Sequence, residues 1–357
     1  MRVKSIEFWR LIFAISIVLC HSMYLPTNKN GINLHVNSLA VEFFFILSGF
    51  LMARSVLTNK KSDIKVPSLG EDTIVFLKKK LKPIYIIFLI SAFFELCARF
   101  LLRDASVGGL VWNIWDLLFL RAFGLGYRHE LLVGASWFLF AMFPAMGILY
   151  PLLKRYTNIF LYIIAPLISL FILGWFSQTY GHINFALHLS KDKFICLGLL
   201  RAIAEISVGC ITYAIYEKIK NIFIVNKTSA IFILLEMSFF ISVLLFAIYG
   251  TRSQTNFICI LLVSLGIICS FTGKGINAFF NNVNNDFISK ISQYSVCLYL
   301  NHYVWLRTLQ YWKLKIPFYM ELSIYIFLSA ATSLLCLYLI KYVERFIEEL
   351  GGRLKEI

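Results

Sequence analysis

Apolar runs close to 20 residues long recur ten times along this 357-residue chain. A bilayer core of about 30 Å is crossed by about 20 helical residues. The runs are 8–25, 37–57, 83–102, 135–153, 158–175, 197–216, 229–249, 257–272, 288–306 and 318–340. They do not alternate as barrel strands would. Helices are therefore required, because backbone polar groups in lipid must be satisfied within the segment. The expected fold is an all-α polytopic membrane protein of about ten transmembrane helices. Composition closes off a soluble alternative. Apolar residues make up 59% and charged residues 15%, against about 25% charged in an ordinary soluble domain.

The net charge of +15 does not imply nucleic acid binding, since no soluble surface exists to carry it. Basic residues mark the cytoplasmic side of a membrane protein. With the N-terminus inside, the cytoplasmic segments, together with Arg54 and Lys290 at the adjoining span ends, hold 21 Lys and Arg and the outer segments 10. The bias predicts N-in and C-in. The Lys78-Lys79-Lys80-Leu81-Lys82 run is its strongest single contribution. The first run is read as a span rather than a cleaved signal, being too long and lacking a small-x-small site. The eight cysteines are scattered, and neither CxxC nor Cys/His metal spacing occurs, so no metal is expected. No internal repeat of the transporter kind is seen. Val111 to Phe123 reads as a short segment along the outer interface, and the tail from Tyr342 as an amphipathic helix on the inner face. The whole divides into a membrane domain, 1–345, and a cytoplasmic tail, 346–357.

Ionisable residues inside spans are costly and mark function. Arg10 and His21 are eleven residues apart. That is three turns plus about 20°, so both project from one helix face about 16 Å apart along the axis. Glu7 lies one turn before Arg10 and can pair with it. Glu7 and Arg10 read either as an interfacial anchor or as a basic site at the cytoplasmic entrance. His21 reads either as a packing histidine or as a base. Glu42, in the second run, falls at the depth of His21. It is expected either to orient His21, as in acyl-transfer enzymes, or to reach the interface. Ser48-Gly49 signals close helix packing when taken alone. His302 also falls at the depth of His21. Arg201 and Glu205, and Glu95 and Arg99, are four apart and are expected to pair. Glu236 has no evident role.

Taken in order, these residues resemble the acyltransferase-3 family of integral membrane acyltransferases. The resemblance rests on Glu7, Arg10 and His21; on Val41-Glu42-Phe43-Phe44-Phe45-Ile46-Leu47-Ser48-Gly49-Phe50-Leu51; and on Trp137-Phe138-Leu139. It extends through Ser292 to His302, an inserted variant of the family's motif, and Glu344-Arg345. One departure stands out. Pro83-Ile84-Tyr85 is present, but lysines precede it where the family has Arg-x-x-Arg. Lysine is a point charge without arginine's bidentate fork.

The resemblance implies an O-acyltransferase of a bacterial cell membrane. Acyl-coenzyme A, most often acetyl-coenzyme A, would be a co-substrate, with no bound cofactor. His21 and Glu42 would be catalytic. Arg10, Lys79, Lys80 and Lys82 would hold the donor's phosphates. Trp137 and His302 would surround the acceptor, a hydroxyl of a cell-surface polysaccharide or its lipid-linked precursor. The rival readings are a polysaccharide or lipid-linked oligosaccharide flippase, a membrane glycosyltransferase and a non-enzymatic scaffold. Residues 26–36 hold no acidic metal ligand for a glycosyltransferase.

Overall fold

The computed structural model describes residues 3–28, 39–58, 68–103, 107–126, 129–190, 196–225, 229–280 and 282–353. The expected span start at 37–38 and the last four residues, 354–357, lie outside these. The described residues form helices and no strand. In order they are α1 (Lys4–His21), α2 (Ala40–Thr58), α3 (Leu69–Leu101), α4 (Val107–Trp112), α5 (Ile114–Leu117) and α6 (Trp137–Arg155). Then come α7 (Thr157–Ile159), α8 (Ala165–Tyr180), α9 (Leu197–Val225), α10 (Ser229–Tyr249), α11 (Asn256–Phe271), α12 (Asn285–Trp312) and α13 (Phe318–Arg353).

Among the described residues, eight helical segments are long and apolar enough to cross a membrane. The two other expected spans fall on α11, which is shorter, and on α12, which is long but carries more polar residues. The protein is thus an all-α, polytopic membrane protein. The short helices α4 and α5 occupy the stretch read as an interfacial segment; there Val111, Ile114 and Leu118 are exposed, while Asp116 is buried.

Two helices run further than their apolar stretches. Helix α3 starts at Leu69, not near Pro83. Ser68 Oγ accepts from the Glu71 N–H at 3.3 Å and Glu71 Oε2 accepts from the Ser68 N–H at 2.9 Å, a capping box that fixes the start. Its 33 residues span about 50 Å, well beyond the hydrocarbon core. The lysine run therefore sits on rigid helix rather than in a loop. Helix α13 is likewise continuous through Arg353, so the tail from Tyr342 extends the last span and is not a separate helix.

Packing centres on α2 and α9, the most intimately paired helices. Gly49 and Gly209 make this possible. A Cβ on Gly49 would lie 1.9 Å from the Ile206 carbonyl oxygen, and one on Gly209 2.0 Å from that of Ile46. Helix α12 packs against α1 and α13, α10 against α11, and α6 and α8 against α9.

Glu236, unassigned from sequence, is a buried fastener. Its carboxylate accepts from Trp9 Nε1 at 2.9 Å, Ser270 Oγ at 2.6 Å and the Ile276 N–H at 2.9 Å. These bonds join α10 to α1, α11 and the turn after α11. A Cβ on Gly275 would lie 1.9 Å from Glu236 Oε2. Gly275→Ala is expected to displace the carboxylate from its donors and to cost about 2 kcal/mol or more. Thermal unfolding of the purified variant in detergent measures this; an unchanged midpoint would show the carboxylate is not held as described.

Candidate functional site

Among the described residues, two cavities are lined by side chains of α1. The first encloses about 150 Å3 and is lined by Arg10 of α1, Ser48 of α2, Lys80 and Ile84 of α3, Phe138 and Met142 of α6, Tyr299 of α12 and further apolar side chains. Arg10 Nη1 pairs with Glu7 Oε2 at 3.0 Å, as the one-turn spacing predicts, and approaches Ser292 Oγ at 3.4 Å. The capped, rigid α3 brings Lys80 to the same cavity. Lys79 and Lys82 are exposed and do not line it. Arg54, also on the basic side, sits over the Phe271 ring at 5.3 Å.

The second cavity is larger, about 750 Å3, and is lined by His21, Tyr24, Arg121, His129, Glu130, Trp137, His188, Tyr303 and Gln310 among others. The two share no lining residue, but neighbours in the chain face opposite ones. Trp137 faces the larger and Phe138 the smaller; one helical turn apart, Tyr303 faces the larger and Tyr299 the smaller. Arg10 and His21, at the two ends of one face of α1, thus open into different chambers.

His21 lies at the C-terminal end of α1 with its Nδ1 2.9 Å from the Ile17 carbonyl oxygen. A carbonyl only accepts, so Nδ1 carries the proton and Nε2 keeps its lone pair. Its ring centroid is 4.9 Å from that of His302 and 5.4 Å from that of Tyr303. His302 is fully buried; its Nδ1 lies 3.3 Å from the Leu298 carbonyl oxygen, and its Nε2 has no hydrogen-bond partner among the described residues. The common depth expected for His21 and His302 is therefore a contact.

Glu42 is not at His21. Its carboxylate pairs with Arg201 Nη2 at 2.7 Å, and Arg201 Nε pairs with Glu205 Oε1 at 2.9 Å. All three side chains have no exposed surface. The direction in which α2 turns Glu42 was not legible in the chain. A buried guanidinium on α9 attracts the carboxylate more strongly than a neutral imidazole does. The part expected of Glu42, fixing the tautomer of His21, falls to the Ile17 carbonyl.

The chain before Trp137 is held by a second charged group. Arg99 Nη2 donates to the Leu131 and Leu132 carbonyls at 2.7 and 3.2 Å, and Asp116 Oδ2 accepts from the Leu132 N–H at 2.6 Å. Arg307 bridges Glu95 and Glu130, each at 2.8 Å, while Arg99 pairs with Glu95 at 3.2 Å. Arg121 pairs with Asp116 and donates to the His129 carbonyl. His129 itself stacks on Trp112 at 5.0 Å. Sequence reading identified Glu95 and Arg99 here but missed Glu130, His129, His188 and Arg307. Arg307 stands one position past the expected span 288–306, where a charge looks ordinary. Among the described residues no group of His, Cys, Asp and Glu could hold a metal ion.

Fold and cavities define a multi-pass helical membrane protein with a histidine in an internal chamber. Residues 3–341 match the acyltransferase-3 family, described as an acyltransferase domain, and the chain belongs to that family. It is a membrane acyltransferase. No curated protein and no solved structure matches the chain.

Proposed function

We propose that the protein moves an acetyl group from acetyl-coenzyme A to a hydroxyl of a cell-surface polysaccharide or its lipid-linked precursor. The observation that carries this reading is the placement of Arg10 and His21 on one helix, in two chambers that abut. Arg10 and Lys80 offer two cationic groups for the donor's phosphates. The narrow, largely apolar chamber behind them suits a pantetheine arm ending in a short acyl group. His21, with a free Nε2, stands in the chamber that has room for a sugar. Trp137, Tyr24 and Tyr303 supply flat apolar faces there, and His188, Gln310 and Glu130 supply polar partners.

In the proposed step His21 Nε2 takes the proton of the acceptor hydroxyl as its oxygen attacks the thioester carbonyl. The carbon–sulfur bond breaks, and the coenzyme A thiolate recovers a proton from the imidazolium. His302 lines neither chamber, so it does not bound the acceptor as expected; in contact with His21, it would steady that charge from behind. A relay through acyl-His21 uses the same groups in two steps. The charge bias supports the Arg10 chamber facing the cytoplasm of a bacterial cell and the His21 chamber facing outward. Lys79 and Lys82 would then meet the distal phosphates outside the chamber.

Acetyl-labelled acetyl-coenzyme A supplied to washed membranes tests the reading. Alkali-labile label on glycolipid or polysaccharide is expected. Its absence, together with movement of lipid-linked oligosaccharide across the bilayer, would favour the flippase. Arg10→Ala and Lys80→Ala are each expected to raise KM for acetyl-coenzyme A by roughly 10- to 100-fold, as loss of one charge-assisted contact does. Initial rates against donor concentration measure this. An unchanged KM in both variants would remove the donor from this chamber.

A further inference from the structure

Arg201 is held on several sides, and the proposed transfer step does not use it. Its guanidinium has no exposure and reaches four elements. Besides Glu42 of α2 and Glu205 of its own helix, Arg201 Nη1 donates to the Phe185 carbonyl at 3.1 Å. The guanidinium carbon lies 5.8 Å from the centre of the Trp137 ring. Trp137 lines the His21 chamber, and so do Ala186, Leu187 and His188, which directly follow Phe185. One side chain therefore touches the foundations of two walls of that chamber.

Helix packing alone does not call for this group. Buried ion pairs are replaced by apolar side chains with little loss of stability, and often with a gain. A fork held by two carboxylates does offer fixed direction. Arg201 cannot rotate without breaking a pair, so the groups it addresses are fixed as well.

We infer that Arg201, held by Glu42 and Glu205, is the positioning residue of the acceptor chamber, setting Trp137 and the 185–188 wall relative to His21. The inference rests on the acyl-transfer reading for its kinetic consequence. It gives Glu42 a part in the reaction at one remove from the histidine. Lysine in place of Arg201 keeps a positive charge for one carboxylate but cannot address both carboxylates, the carbonyl and the indole together.

The test uses full-length protein labelled with 5-fluorotryptophan, with the Trp137 fluorine resonance assigned from its loss in Trp137→Phe. Arg201→Lys is expected to shift or broaden that resonance. In washed membranes given labelled acetyl-coenzyme A, it is expected to lower Vmax about tenfold or more at unchanged protein level, with the donor KM within about twofold of wild type. A purely structural part would instead lower protein level or raise the donor KM in step. An unmoved Trp137 resonance, or an unchanged Vmax, would overturn the proposal. Should Arg201→Lys not accumulate, Glu42→Gln is read instead. It keeps the bonds to Glu205 and Phe185, and a smaller displacement of the same resonance is expected; none would overturn the proposal. If wild type transfers no label, the acyl-transfer reading fails, while the fluorine resonance still decides whether Arg201 sets Trp137.

Discussion

His21→Ala is expected to lower acyl transfer at least about 100-fold while protein level and helix content stay normal. The side chain is partly exposed to its chamber and makes one backbone contact through Nδ1, so its removal opens space without breaking the bundle. What disappears is the lone pair that takes the acceptor's proton in the proposed step. Labelled acetyl-coenzyme A in washed membranes measures the loss, with immunodetection of the protein as the control. Near-normal transfer by His21→Ala would sink the mechanism. Glu42→Gln belongs beside it and should be milder. Its carboxylate pairs with Arg201 at 2.7 Å rather than with the histidine, so it alters the shape of the chamber and leaves the base in place.

The second large effect is on folding. Gly49→Ala and Gly209→Ala each place a methyl within about 2 Å of a carbonyl oxygen on the facing helix. Backbone cannot yield as a side-chain tip can, so α2 and α9 must separate. Overpacking commonly costs about 1–3 kcal/mol. Here the strain reaches the whole helix pair, so the upper end or beyond is expected. The Glu42–Arg201 pair bridges the same two helices about two turns away and would be stretched with them. Fluorescence-detected gel filtration after heating steps measures the change. Wild-type behaviour of both variants would mean the helices do not approach as described.

Much of this architecture was legible in the chain because its causes are local. Apolar runs of the right length fix the helices, and the 3.6-residue repeat places Arg10 and His21 on one face. The one-turn spacing of Glu7 and Arg10 likewise gives their pair. Azimuth was not legible. Glu42, His21 and Arg201 lie on three helices, and nothing in the spacing says which of the two basic groups Glu42 faces. Nor did the lysine run reveal that it stands on helix; that follows from Ser68 and Glu71 far upstream, which start α3 before the apolar stretch begins. The wider chamber draws on residues from segments distant in sequence, such as Tyr24, His129, His188 and Gln310, and only the fold collects them. Gly49 did announce close packing, and the facing Gly209 completes it.

The wall between the chambers has a bioenergetic consequence. A passage wide enough for a coenzyme or a sugar would, if continuous, short-circuit the membrane potential. Here Phe138 and Tyr299 line one chamber and Trp137 and Tyr303 the other, with Phe138 against both Trp137 and Tyr299, so aromatic residues mark the change from one lining to the other and no lining residue is in common. A hydrated ion would have to shed its water to cross there. In the proposed orientation only an uncharged acetyl group, carried on a slender arm, passes that point. On that proposal the charged nucleotide would stay on one side and the polar glycan on the other, and the cell would modify its exterior with an interior metabolite without loss of electrical insulation.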